Sequence, residues 1–202
     1  LYEDGESLLE VLLAERKQRL AERVMDGGRM TVSRWIEERG KDFFILTTQA
    51  GLEGIVAKKT DSLYYPGKTT KDWVKIKNTL DDDFIICGFI QKEHSIISLV
   101  LGQYDLGGYL KYKGRVTLGA SRRDFAVISG QERISRHPFA QAPPKATQTA
   151  VWLKPVLVCT VTFLAYTPGG GLRQPVYKGL RDDKKPREAV EKFPHSRDRL
   201  ND

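Results

Sequence analysis

Three stretches concentrate the residues able to do chemistry. EGIVAKK, residues 53–59, sets one carboxylate and two ammonium groups around a short apolar run. Fourteen residues later WVKIK, residues 73–77, threads two more lysines through apolar positions. Near the far end, RQPVYKGLRDDK, residues 173–184, gathers two arginines, two lysines and two aspartates. Residues two apart in a strand share a face. WVKIK therefore puts Trp73, Lys75 and Lys77 on one side, and Val74 and Ile76 on a side expected to pack into a core. Two ammonium groups on one face repel each other unless an anion lies between them, and phosphate is the usual one. Taken alone, WVKIK equally fits a solvated basic face, and Glu53 a turn acid ahead of a plain strand.

The elements that position these residues follow from periodicity. Residues 6–24 place apolar side chains at 8, 9, 12, 13, 20 and 24, close to helical spacing with charges between. TVSRWIEER, residues 31–39, reads as a short helix capped by Thr31 or Ser33. KDFFILTTQA, residues 41–50, reads as a helix ending at Gly51. IVAKK and WVKIK read as neighbouring strands joined by the turn-rich DSLYYPGKTTKD. NTLDDD, residues 78–83, is a polar acidic break and the candidate boundary between residues 1–79 and 80–190. Beyond it strand follows strand, in FIICGFIQ, ISLVLGQYD, YLKYKGRVTLG, WLKPVLVCTVTFLAYT and LRQPVYKGLR, with one helical insert in SRRDFAVISGQERI. About five strands and one helix fit a Greek-key barrel of the OB type, common in proteins that handle nucleic acid, with an SH3-like barrel or a sandwich as alternatives. Residues 191–202 read as a loose tail.

Composition narrows the function classes. With 202 residues, 40% apolar and 29% charged, the chain can bury a core and is not of the disordered type. No run approaches the roughly 18 to 20 apolar residues of a membrane span, and LYEDGESLLEV is acidic where a signal peptide needs a basic start. A cytoplasmic protein is expected. Cys87 and Cys159 lie in apolar runs and read as buried free thiols; His94, His137 and His195 lack the spacing of a metal site. Charge is unevenly spread. Residues 1–79 carry 14 Lys+Arg against 13 Asp+Glu, and residues 80–190 carry 16 against 10. The second half should attract a polyanion.

The ordered set EGIVAKK, YYPGKTTKDWVKIK and RQPVYKGLRDDK resembles the ATP-dependent DNA ligases, and within them the bacterial branch associated with non-homologous end joining. The likeness covers nearly the whole chain, including LYEDGESLLEVLLAERKQRL, which is similar to the family segment that follows its Phe-Asp pair. It implies an α+β partial nucleotidyltransferase (adenylation) domain followed by an all-β OB-fold domain with one helix. It implies ATP and Mg2+ or Mn2+ as cofactors, nicked or broken duplex DNA as partner, and a place in DNA repair at the bacterial nucleoid. By the same likeness Glu53 is the metal-associated acid and Val56 lies against the adenine. Lys58 ends that strand, and Lys68 stands where the family often has arginine. Lys75 and Lys77 hold the nucleotide phosphate. Arg173, Arg181, Asp183 and Lys184 belong to the element that closes over the leaving pyrophosphate. Such chemistry needs fixed cations and a carboxylate around phosphates and a divalent ion.

One departure stands out. The family nucleophile is the lysine of a Lys-x-Asp-Gly motif, which forms a covalent lysyl-AMP. The two Asp-Gly pairs here, at Asp4 and Asp26, follow Tyr2 and Val24 instead. The resemblance thus implies a chain whose partner is the absent N-terminal half of the adenylation domain and which is inactive alone in self-adenylylation. An RNA ligase or capping-type relative, and a non-catalytic nucleic-acid-binding OB module, are the competing readings.

Overall fold

A computed structural model of the chain describes residues 1–25, 27–92, 95–119 and 122–192. His94, His195 and residues 193–202 of the expected tail lie outside the described residues. The chain divides into two compact units, Leu1–Asn78 and Thr79–Asp202.

The first unit opens with a hairpin, β1 (Tyr2–Glu3) against β2 (Glu6–Ser7), turned by Asp4 at φ 48° and Gly5 at φ 87°. Both positive φ values suit a two-residue type I′ turn, for which Asp-Gly is a favoured pair. The helix expected from residue 6 therefore starts later: α1 spans Leu13–Arg23. Apolar Leu8 and Leu13 serve burial rather than a continuous helical stripe. The orphan N–H groups of Leu13 and Ala14 donate to the carbonyls of Ser62 and Thr60, at 3.0 and 2.9 Å. Arg19 and Arg23 reach back to Glu3 at 3.3 and 3.0 Å, tying helix to hairpin.

The helix expected over residues 31–39 does not form. Glu38 sits at φ 60°, outside the helical region, and the Trp35 ring instead takes the Lys17 ammonium 4.3 Å from its centroid. The next helix, α2 (Gly40–Gln49), does form, followed by Gly51 at φ 69°. Then β3 (Gly54–Lys58) and β4 (Trp73–Lys77) pair antiparallel, as the sequence leads one to expect.

In the second unit β5 (Leu80–Lys92), β6 (Ser95–Tyr104), β7 (Leu110–Val116), β8 (Val151–Phe163) and β11 (Val176–Leu180) form one antiparallel sheet in the order β11-β8-β5-β6-β7. Helix α3 (Arg122–Ser129) lies between β7 and β8 in the chain. A small hairpin of β9 (Ala165–Tyr166) and β10 (Leu172–Arg173) precedes β11. The two units divide within NTLDDD, after Asn78, and Asp81, Asp82 and Asp83 already lie within β5, opposite Thr162, Val161 and Thr160 of β8. Among the described residues no ladder joins edge strands β7 and β11, so the sheet is not a closed barrel. The short β11 carries a bulge between Tyr177 and Gly179 and pairs with β8.

The continuous apolar run FIICGFI is explained by burial on both faces of β5. Phe84, Ile86 and Phe89 pack with Leu101, Ile128 and Phe163 on one side; Ile85 and Cys87 pack with Val100, Phe139 and Val158 on the other. The register shift at Gly88 brings Phe89 onto the face of Phe84. Cys87 and Cys159 are buried free thiols, and burial pushes both well up from the ordinary thiol value. At the chain's described end Val190 pairs with Tyr104, Glu191 accepts from the buried Lys113 at 2.6 Å, and Lys192 meets Asp82 at 2.6 Å.

Candidate functional site

In the first unit the site residues converge through strand register. Gly54 stands opposite Lys77, Val56 opposite Lys75, and Lys58 opposite Trp73. Opposed residues in an antiparallel pair share a face, so Val56, Lys58, Trp73, Lys75 and Lys77 form one surface. The Lys58 ammonium lies 4.0 Å over the Trp73 ring, and the Trp73 indole donates to Ser62 Oγ at 3.2 Å. Gly54 explains its own place in the motif. At φ 134° it carries no side chain, and a Cβ there would stand 2.1 Å from the Ile76 carbonyl oxygen. Glu53, just ahead of β3, is exposed, and its carbonyl accepts from the Asn78 N–H at 2.9 Å. Lys68 is exposed in the β3–β4 connection, its N–H donating to Tyr65 at 3.2 Å.

The opposite face departs from expectation. Val74 is 51% exposed and Ile76 39%, so they do not pack into a core. A cavity of about 580 Å3, lined by Lys17, Lys58, Trp35, Trp73 and residues of the β1–β2 hairpin, opens beside the strands. Burial, and then the nearby positive charge of Lys58, lowers the Lys17 pKa. Cations are therefore crowded here.

The second unit gathers the other cations. Arg181 donates from Nε and Nη2 to both oxygens of Asp183 at 2.7 and 2.6 Å, a bidentate pair, and from Nη1 to Asp83 at 3.4 Å. Lys184 donates to the other oxygen of Asp83, and Thr160 Oγ1 donates to Asp83 at 2.6 Å. Arg181 holds Asp183 down at about 2, while Asp183 in turn raises the guanidinium. Burial pushes Asp83 up, but Lys184, Thr160 and Arg181 together outweigh it and leave the carboxyl below its ordinary value. Arg173 stands on β10 opposite Ala165. Asp83 is the residue the sequence reading missed. Its signal is an aspartate run leading without a break into FIICGFI, which places acids at the mouth of a buried strand. Among the described residues no cluster of three His, Cys, Asp or Glu could hold a metal unaided.

Two families of sequence match this arrangement in chain order: the ATP-dependent DNA ligase domain over residues 1–77 and the ATP-dependent DNA ligase C-terminal region over residues 92–184. The chain belongs to the ATP-dependent DNA ligases, an enzyme family. Within it the likeness is to the bacterial end-joining type. The multifunctional non-homologous end joining protein LigD of Pseudomonas aeruginosa is 32% identical over 96% of this chain and 24% of its own length. LigD of Mycobacterium bovis is 33% identical over 94% of this chain and 26% of its own. The crystal structure of the ligase domain of M. tuberculosis LigD is 33% identical, with a TM-score of 0.54, over 95% of this chain and 64% of that one. The chain thus spans about a quarter of the length of these curated relatives. No helix among the described residues is long and apolar enough to cross a membrane.

Proposed function

We propose that the chain is part of an ATP-dependent DNA ligase that seals nicked or broken duplex DNA, supplying the phosphate-binding strands of an adenylation domain (residues 1–79) and an OB-type DNA-binding domain (residues 80–190). The register that sets Val56 beside Lys75 and Gly54 beside Lys77 carries this reading, because it makes one face of two ammonium groups and an apolar contact. Such a face suits a nucleotide: Val56 against the adenine, Lys75 and Lys77 on the α-phosphate, with Lys58 and Lys68 adding positive charge. Mg2+ or Mn2+ fits on Glu53 because hard cations in phosphate-transfer sites take one or two carboxylates plus phosphate oxygens and water. The ion would neutralise charge on the phosphates.

Arg181 and Lys184, with Arg173 and Asp183 beside them in sequence, orient the pyrophosphate as it leaves. The strand order β11-β8-β5-β6-β7, with a helix between β7 and β8, supports a partly open OB barrel. Reaction passes through lysyl-AMP and DNA-adenylate. The lysine nucleophile belongs to a Lys-x-Asp-Gly segment outside these 202 residues, so the chain alone forms no AMP adduct. The setting is DNA repair at the bacterial nucleoid in the cytoplasm.

The test is single-turnover kinetics in a chain extended to carry the Lys-x-Asp-Gly segment. The nucleotide phosphate is present in adenylylation, transfer and sealing, whereas pyrophosphate exists only in the first. Lys75→Ala should slow every step by about a hundredfold, the scale of about 3 kcal/mol of lost transition-state contact. Arg181→Ala should slow adenylylation comparably and leave sealing of a pre-adenylylated nick nearly unchanged. Equal damage to sealing by both variants would overturn this division of labour.

A further inference from the structure

We infer that Asp83 is a positioning residue for the reaction: it fixes the side chains of Lys184 and Arg181 from beneath, without occupying the donors that meet the substrate. The inference rests on the ligase reading above. Asp83 is only 6% exposed and lies on β5, held between β8 and β6 in the middle of the sheet. Arg181 and Lys184, by contrast, lie just beyond β11 outside any strand or helix. Long cationic side chains in such a segment sample many rotamers. Two of them converge on one carboxylate, whose orientation is set in turn by Thr160 from the neighbouring strand.

The division of donors separates anchoring from binding. Arg181 meets Asp83 through Nη1, while its Nε–Nη2 fork, the edge that matches a phosphate, is held by Asp183, whose side chain is 66% exposed. A solvated pair of that kind exchanges readily with an incoming anion. Lys184 has three donors and gives one to Asp83. The buried carboxylate cannot release its cations without being stranded away from water. Asp83 therefore stays engaged while the outward donors turn over.

The extended chain with its Lys-x-Asp-Gly segment gives the first readout. Asp83→Asn should slow self-adenylylation about tenfold, leave sealing of a pre-adenylylated nick within about twofold, and add little in a Lys184→Ala background. Thr160→Val keeps the carboxylate and removes one donor; it should give a smaller loss of the same kind, and serves if Asp83→Asn does not fold. The second readout is amine acylation of the 202-residue chain followed by mass spectrometry. Lys184 should label several-fold more slowly than its exposed neighbour Lys185, and Thr160→Val should raise its labelling. Lys184 labelled as fast as Lys185, or an Asp83→Asn effect that falls equally on sealing or multiplies in full with Lys184→Ala, overturns the anchor. No AMP adduct in the unmutated extended chain would instead overturn the ligase reading and the positioning role with it.

Discussion

Two neighbouring aspartates on β5 show how a sheet accommodates acids. Asp82 accepts from Gln103 Nε2 and the Tyr166 hydroxyl, both at 3.1 Å, and Asp83 from Thr160, Arg181 and Lys184. Each buried carboxylate has several donors, which is what burial of a charge demands. Burial, and then the Asp82 charge, raises the Tyr166 hydroxyl well above its ordinary value, so it remains a donor at neutral pH. The Asp83 carboxyl is depressed in the folded chain. A depressed acid stabilises above its unfolded value and loses that contribution as pH falls through the folded one. Asp83→Asn should therefore lower the melting temperature most near neutral pH. The gap from the unmutated chain should shrink as pH drops below the ordinary value of 3.8. Thermal melts across pH 3 to 7 measure it, and a gap independent of pH would refute the charge argument.

At the scale of elements, β3 and β4 meet at a glycine that tolerates no side chain. Gly54→Ala forces the strands apart or the backbone out of its φ 134° conformation, at a cost on the order of 1 to 3 kcal/mol. Nucleotide affinity in the extended chain should fall with it, and an unchanged affinity by titration calorimetry would show that the close approach is dispensable. This hairpin was legible in the sequence because IVAKK and WVKIK alternate and a turn-rich stretch joins them. The seven strand-like runs beyond residue 53 and the α3 insert were legible for the same local reasons. Asp4-Gly5 is itself a local turn signal, and it prevails over the leucine spacing that suggested helix. What local pattern hid was tertiary: Trp35 is claimed by Lys17, and Asp83 disappears into a strand because cations 98 and 101 residues away compensate it. The covering layer expected over Val74 and Ile76 could not be judged from alternation, which says which residues share a face but not what lies against it.

For the whole molecule the decisive quantity is the distribution of charge. The first unit is nearly neutral in its lysine, arginine and acid content, while residues 80–190 carry six more basic than acidic side chains. Binding of duplex DNA by the chain should be insensitive to sequence and should fall by at least about tenfold between 50 and 200 mM salt, as phosphate contacts release counterions. Fluorescence anisotropy with nicked duplexes of unrelated sequence measures this; a salt-independent affinity would mean that the basic surface is idle.

The ion pair between Lys113 and Glu191 decides where this half of the molecule can be cut. Both side chains are below 10% exposed, and 78 residues separate them. The family's C-terminal region matches only as far as residue 184. A chain ended there would keep every proposed phosphate ligand yet leave an ammonium group sealed in the sheet without its carboxylate, a loss on the order of 3 to 5 kcal/mol. Ending it after Lys192 should spare that loss. Protease resistance of the two truncations would show the difference, with the shorter one digested at concentrations the longer one survives. The matched motif and the folding unit therefore end at different residues, and the eight residues beyond the match, 185–192, set the smallest stable piece.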